Sequence, residues 1–566
     1  MKRIVGAISF LTVMLLACTV SAAPKQVALK ALNEIVKSPV RGCEDRHTVN
    51  LPIITWGGDI ATIYANGDQV DTKAGSIFAE KGLHFKLFRE DVFPRQVEKY
   101  LSCETPYLRG TLGMINMASD AANRDPRTKL VVIYQHTYSA GGDTLVVKSH
   151  IKRPEQLRGK TISLQAYGPH LEYLDRILVS AGLTFKDIKI RWTKDLTGTE
   201  ETPVTAFREP DVDAAMVITP DALALTSGGK TGTGAENSVK GAKILLSTKT
   251  ADHVIADVYA VRADYLASHK EEVANLVHGL LVAEEATAKL FKNKGSGYTE
   301  AIKASAQILL DSADAVADTE GLYADCRYAG WKGNVKFFGD KNNPRNFERT
   351  TADIQKGLIA LGVISGRGSL DHAKWDYKRF KPGLADTGDV EAPRFDTGKV
   401  AKAVVKRQQS EEGVLFSFEI YFKPNQNTFP VEAYKDEFQK VIEYATTYGG
   451  AVITVEGHSD PLEYLKKKKA ATAELVLRQI KQSAKNLSLS RANQVRQNII
   501  DHAKSKGIIL DESQFAVLGH GIMSPRGGMC GDDPCAPKNE KEWLSNMRVV
   551  FKILQVEGEA VQFEAL

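Results

Sequence analysis

Short apolar runs alternate with helix-period segments from Val49 to Phe380, and this alternation leaves few folds open to the chain. "NLPIITWGG" is a short buried-type strand that ends in glycines, and "GLHFKLFRED", "KLVVIYQ", "DTLVVKS" and "KTISLQA" continue the series. In "GPHLEYLDRILVSAGL", Leu171, Leu174, Ile177 and Leu178 fall on one face and Gly182 closes the helix. "DIKIRW" and "DAAMVIT" are strands again, and from Ser268 to Gly362 the pattern is mostly helical. Strands interleaved with helices predict an α/β fold in which helices cover the sheets.

The pattern breaks between Gly383 and Glu412, where Gly, Pro and Asp replace large apolar residues. We read 23–380 as a first unit, 381–412 as a linker, 413–556 as a second, smaller α/β unit and 557–566 as a tail. In the second unit "LFSFEIYF" is a strand, and "VEAYKDEFQKVIEYATTYG" is a helix ended by Gly449 and Gly450. "AVITVEGHSD" is the next strand. A long helical region then reaches Ala503, and "FAVLGHG" and "MRVVFKILQV" follow as strands.

The N-terminus fixes the compartment. Met1-Lys2-Arg3 precedes an apolar run, Ile4 to Ala17, that is short for a membrane span. Small residues follow, with a cut expected between Ala22 and Ala23, so 1–22 reads as a secretory signal peptide. A lipid anchor on Cys18, in "LLAC", is the rival reading. An exported protein meets an oxidising environment. Cys530 and Cys535 enclose the turn-rich "GDDP" and are expected to form a disulfide. Two of Cys43, Cys103 and Cys326 can pair, which leaves one thiol. The cysteines have neither C-x-x-C spacing nor a nearby histidine pair, so no metal site is expected. A net charge of +5 lacks the basic excess of a nucleic-acid binder.

Hydrolase, zinc-protease and P-loop motifs are absent, so we expect neither an enzyme nor a cofactor. In open α/β sheets ligands sit at strand ends. Four loops stand there. "TWGGD" offers Trp56, Gly57 and Asp59; "HTYSAGGD" offers Tyr138 and Ser139; "QAYGPH" offers Gln165, Tyr167 and Gly168 at a helix start; and "TPD" offers Asp221. These nine are the candidate solute contacts, although Gly and Pro also serve ordinary turns.

"SFEIYFKPNQNTF", "ITVEGHSDP", "LSLSRANQVRQNI", "VLGHG" followed by Pro525, and "NMRVVFKI" stand in the order of the OmpA-like peptidoglycan-binding domain, which the second unit resembles from Phe416 to Ile553. The resemblance implies a small α/β sandwich that binds the stem peptide of peptidoglycan without covalent chemistry. It places the binding roles on Asp460 and Arg491, with Asn425, Asn546 and Arg548 as further members of the site. The chemistry fits those two residues. Diaminopimelate carries an ammonium and a carboxylate on one carbon; an aspartate accepts from the first, and a planar guanidinium holds the second. The bare residues, an arginine early in a helix and an aspartate after a strand, also fit an internal salt bridge or a cap. Asp460 and Arg491 lie further apart than is usual in the family. The extra segment, "LEYLKKKKAATAELVLRQIKQSAKN", looks helical, with Leu475, Val476 and Ile480 able to pack inward. Lys466 to Lys469 read as a solvated face, with contact to an anionic polymer as the alternative.

"IKRPEQLRGKTISLQAYGPHLEYLDRILVSAGLTFKDIKI" resembles a type 2 periplasmic substrate-binding protein, and a looser likeness extends over 49–377. It implies a bilobal periplasmic-binding-protein fold that closes on a small solute. The expected whole is a periplasmic solute-binding protein held at peptidoglycan, with an inner-membrane transporter or sensor as reader. The alternative is an envelope or motor-associated scaffold whose lobes contact a partner protein.

Overall fold

The computed structural model describes residues 27–385 except Glu236, and 414–554 except Asn425, Asn427 and Pro430. The expected signal peptide with Cys18, nearly all of the expected linker, the tail and Asn425 lie outside the described residues.

Every strand anticipated in the first unit forms. Val49–Ile53 pairs in parallel with Phe85–Arg89. Asn50 joins this pair to the next element: its carbonyl accepts from Thr105 Oγ1 at 2.7 Å, and its amide donates to the Glu104 carbonyl at 3.0 Å. Beyond lies a sheet in the order Cys326–Tyr328, Leu130–Ser139, Ala256–Arg262, Tyr107–Thr111, with Asp371–His372 also on Leu130–Ser139. A second five-stranded sheet runs Lys189–Thr193, Thr161–Gln165, Ala214–Ile218, Asp143–Val147, Lys243–Ser247. Ala214–Ile218 and Asp143–Val147 are buried along almost their whole length, as expected of strands covered on both faces. Each sheet with its helices makes one lobe. The chain crosses from the first to the second at 139–143 and returns at 247–256, so two adjacent segments form the hinge.

Five strands of the first unit were not anticipated; besides the short Cys326–Tyr328 and Asp371–His372 these are Tyr107–Thr111, Lys243–Ser247 and Ala256–Arg262. Two of the last three carry charged side chains that turn out to be buried (Arg109, Asp257 and Arg262), and these interrupt the apolar signal. The third has only three consecutive apolar residues. The predicted helix forms as Leu171–Ser180 with Leu171, Leu174, Ile177 and Leu178 buried, and Gly182 adopts φ 67° just beyond it. Cys43 pairs with Cys103, Cys530 pairs with Cys535, and Cys326 remains a thiol.

The second unit is a four-stranded sheet in the order Val414–Tyr421, Arg548–Leu554, Val452–His458, Phe515–Gly521. Strand alternation divides its faces. Phe551, Ile553, Ile453 and Val455 are buried, and Val455 shares its face with Gly457 and Gly519, which meet the helix Glu474–Ser505. Glu419, Arg548, Lys552, Glu456, His458 and His520 share the other face.

The 32-residue helix Glu474–Ser505 corrects two expectations. Arg491 stands in its middle rather than early, because the extra segment extends the helix at its N-terminal end. Leu475 is 68% exposed and Val476 is also exposed, whereas Leu477 packs with Tyr464 and Ile522. The lysine-bearing helix Leu462–Lys469 folds back onto the disulfide loop: Tyr464 donates to Asp533 at 2.6 Å, and Lys468 pairs with the same carboxylate.

Candidate functional site

The loop after the first strand packs against the hinge. Trp56 Nε1 donates to Thr137 Oγ1 at 3.0 Å. The Trp56 ring presses on the hinge so closely that a Cβ on Gly142 would sit 2.6 Å from it. Gly57 must be small, since a Cβ there would lie 1.9 Å from the carbonyl oxygen of Leu322. Leu322 belongs to the helix Val316–Ala324, which therefore rests on this loop. The strand Cys326–Tyr328 that follows adds to the first sheet beside Thr137–Ser139. The Tyr328 hydroxyl donates to the Gly58 carbonyl at 3.2 Å.

Asp59 is fully committed inside the first lobe. Its carboxylate accepts from Arg109 Nε at 3.2 Å and from the terminal nitrogen Nη2 at 2.9 Å. Arg109 Nη1 reaches Asp257 Oδ1 at 2.9 Å, and Asp257 Oδ2 accepts from Thr137 Oγ1 at 3.0 Å. Burial pushes the Asp59 carboxyl up to about 6 against the pull of Arg109. Burial alone would lower the Arg109 guanidinium, but Asp59 and Asp257 outweigh it and hold its charge. Such a triad holds only while all members are present, because one charge left alone in the interior is costly. Asp59 is thus a fully buried internal partner of Arg109.

The hinge is stitched by one hydroxyl. Thr248 Oγ1 accepts from the N–H groups of Gly141 and Asp143, each at 3.1 Å, and lies 2.8 Å from Ser139 Oγ. Tyr138 is half-buried and meets the edge of His253, with ring centroids 5.1 Å apart. On the second lobe Gln165 folds over Gly168, where a Cβ would come within 2.1 Å of its amide oxygen. Tyr167 has φ 63°, and its hydroxyl exchanges hydrogen bonds with Lys30 N and O at 3.0 and 2.9 Å. The segment around Lys30 therefore occupies Tyr167.

Around these residues stand further groups, of which only Asp221 was a candidate from the sequence. Buried His170 places Nε2 2.6 Å from Asp143 Oδ1, and its Nδ1 has no hydrogen-bond partner among the described residues. Asp221 Oδ2 likewise has none; burial raises this carboxyl, with Thr197 and His170 opposing. Burial pushes Asp325 up to about 6, Lys249 opposing and Asp143 adding. Glu172 lies against Gly113 of the first lobe, and burial takes its carboxyl up to about 8. His170 and Asp143 closed two of the quoted loops, so a strand-end argument carried one residue further would have found them. Arg109 gave no such signal.

In the second unit Arg491 is 1% exposed. Its Nε donates to the Gln426 carbonyl at 2.8 Å, and its ring-side neighbour is Phe422, 5.1 Å from the guanidinium carbon to the ring centroid. Weaker contacts reach the carbonyls of His458 and Lys423 at 3.4 and 3.5 Å. Burial lowers the guanidinium to about 10, with Asp460 pulling the other way. Among the described residues no carboxylate forms an ion pair with it. Asp460 stands close enough to act on it by charge, and spends one oxygen, Oδ1, on the N–H of Leu462 at 2.8 Å. Asn546 and Arg548 do other work. Asn546 accepts from Arg526 N at 2.7 Å and donates to the Glu542 carbonyl at 3.1 Å. Arg548 reaches the Ser524 carbonyl at 3.3 Å and lies 3.7 Å from Glu419. Both hold the 524–546 loop, and no contact joins either to Arg491.

No family model matches this chain, and no curated protein matches it. Among solved structures, the periplasmic aliphatic sulphonate binding protein of Escherichia coli is 15% identical, with 57% of this chain and 90% of that chain covered and a TM-score of 0.39. The alkanesulfonate-binding protein of Xanthomonas axonopodis pv. citri, bound to MOPS, is 14% identical over 58% and 97%, with a TM-score of 0.41. The periplasmic nitrate-binding protein of Synechocystis is 11% identical over 58% and 93%, with a TM-score of 0.35.

Proposed function

We propose that this chain is a solute-binding protein of the cell envelope, held non-covalently at peptidoglycan by its C-terminal unit. The observation that carries the reading is Arg491. A guanidinium this buried, given only carbonyl oxygens and one aspartate at a distance, lacks the carboxylate that would match its planar fork. The diaminopimelate carboxylate supplies that partner, and the free oxygen of Asp460 takes the ammonium. Peptidoglycan pull-down tests it. Arg491→Ala and Arg491→Lys are each expected to lose most binding, since Lys offers charge without the fork. Undiminished binding by an Asp460→Ala, Arg491→Ala double variant refutes the clamp.

For the lobes, the two-segment hinge supports closure over a solute, in which binding shifts an open–closed balance. Asp143, Asp221 and Asp325 beside His170 suit a solute that carries a positive charge. Thermal-shift measurement against amines, anions and vitamins tests this, because a ligand selective for the folded state raises its apparent stability. Stabilisation by amines is the expected result. A transporter or sensor in the inner membrane would read the closed form.

A second reading is favoured by one specific observation. Leu322 to Tyr328 sit on the loop that carries Trp56 and Gly57, and Tyr167 is occupied by Lys30. Lobes filled by their own chain suit a scaffold that meets a partner protein. Silence across the solute panel, together with a stable protein partner, would select it.

A further inference from the structure

We propose that Glu456, His458 and His520 form a binding site for a divalent transition-metal ion of the zinc class, on the sheet face opposite the helix that carries Arg491. One donor atom from each of the three lies within 4.8 Å of the others. Two imidazoles and a carboxylate are a donor set that zinc accepts, and three protein ligands leave a position open for water or a further ligand.

The placement follows from the sheet. Glu456 and His458 are two apart on Val452–His458, so they share a face. On the neighbouring parallel strand the register slips: Gly457 faces Gly519, but His458 faces Gly521. His520 is the extra residue of this bulge, and bulges re-aim side chains. Its ring is stacked on that of His458, with centroids 4.9 Å apart. A tetrahedral sphere with bonds of about 2.0–2.1 Å needs donors about 3.4 Å apart. One imidazole must therefore turn about its Cβ–Cγ bond, and His520, at the strand end and partly exposed, has room to do so.

The independent observation is His458. It is 4% exposed, and neither ring nitrogen has a hydrogen-bond partner among the described residues. A buried imidazole that makes no hydrogen bond is an anomaly in a folded protein unless something else satisfies it. Glu456 places Oε2 3.3 Å from His520 Nε2. Its Oε1 accepts from Thr454 Oγ1 at 2.9 Å and its Oε2 from Lys552 Nζ at 2.7 Å, which leaves further lone pairs on both oxygens. Lys552 and Arg548, on the same face, are the competing cations. The sequence hid the site because its histidines come from strands separated by the whole long helix.

The test titrates Zn²⁺ into chelator-treated full-length protein by calorimetry, and Co²⁺ by its visible absorption. One equivalent is expected to bind, with Co²⁺ bands of a nitrogen- and oxygen-ligated ion. His458→Gln and His520→Gln should each weaken binding at least ~10-fold, on the scale by which even outer-shell partners of a metal matter. Lys552→Gln should tighten it, which a merely structural histidine pair would not produce. His520 is partly exposed, so His520→Gln keeps the test valid should His458→Gln fail to fold. Absence of Zn²⁺ binding in the parent protein, or binding unchanged in His520→Gln, overturns the proposal.

Discussion

Glu172 shows how one buried carboxyl can report on the cleft. It opens the helix Leu171–Ser180 and lies against Gly113 of the other lobe, with both oxygens buried. Burial raises its carboxyl from 4.5 to about 8. A raised acid holds its proton in the folded state where the unfolded chain has lost it. Its stabilising contribution is therefore complete below about pH 4.5 and falls as pH rises toward 8. Asp59 and Asp325, both raised to about 6, add a similar decline at lower pH. We predict that urea midpoints fall between pH 5 and pH 8, and that Glu172→Gln flattens the upper part of that fall. Equal slopes in both proteins would show that Glu172 ionises normally. None of this was legible in "GPHLEYLDRIL", where Glu172 reads as an ordinary acid in a first helical turn. What buries it comes from the other lobe, out of reach of local periodicity.

At the scale of elements, periodicity did its work where one face or both faces of a strand are apolar. It failed where charge is buried, as in Tyr107–Thr111 with Arg109, and where a helix runs on past its motif. The proposed Arg491 clamp could be named from the sequence because motif order picks out residues without needing the intervening geometry. The geometry itself depends on close approach of helix and strand. A Cβ on Gly457 would lie 1.9 Å from the carbonyl oxygen of Ser488, and one on Gly519 would lie 2.8 Å from Lys485 O. Ser488 Oγ in turn accepts from Gly521 N at 2.9 Å. The glycines in "VEGHSDP" and "VLGHG" thus set the depth at which the helix seats, and Arg491 stands one turn beyond Ser488. Gly457→Ala is expected to destabilise the second unit by about 1–3 kcal/mol, as overpacking does. Because it lifts the helix, it should also weaken peptidoglycan binding at temperatures where the unit remains folded. A variant that loses stability but binds at full strength would separate the clamp from the seating of the helix.

For the whole molecule, the two units meet at the hinge. Tyr444 donates to the Ser180 carbonyl at 3.0 Å, and the Tyr448 hydroxyl lies 3.0 Å from Ser180 Oγ. Ser180 ends a helix of the second lobe. Gly450 N donates to the Thr250 carbonyl at 3.1 Å, and Thr250 belongs to the segment by which the chain returns to the first lobe. The second unit therefore bears on the hinge. An opening of the lobes would move the surface on which it rests, so under the proposed function solute and anchor would be mechanically linked. In the sequence Gly449 and Gly450 read only as a helix stop, since nothing local marks a glycine as a contact. Gly450 is not in the left-handed region, so its own backbone accepts alanine. The new Cβ would, however, lie 1.7 Å from the Lys249 carbonyl oxygen, and backbone cannot swing aside as a side chain can. Gly450→Ala is therefore expected to part the units while each stays folded. The radius of gyration from small-angle scattering should rise, a single thermal transition should split into two, and far-ultraviolet dichroism should hold. If the lobes and the anchor are linked through this contact, the variant should also close on its solute with an affinity that no longer differs between free and peptidoglycan-bound protein. A parent protein whose solute affinity is already indifferent to peptidoglycan would make the contact a resting place and not a coupling.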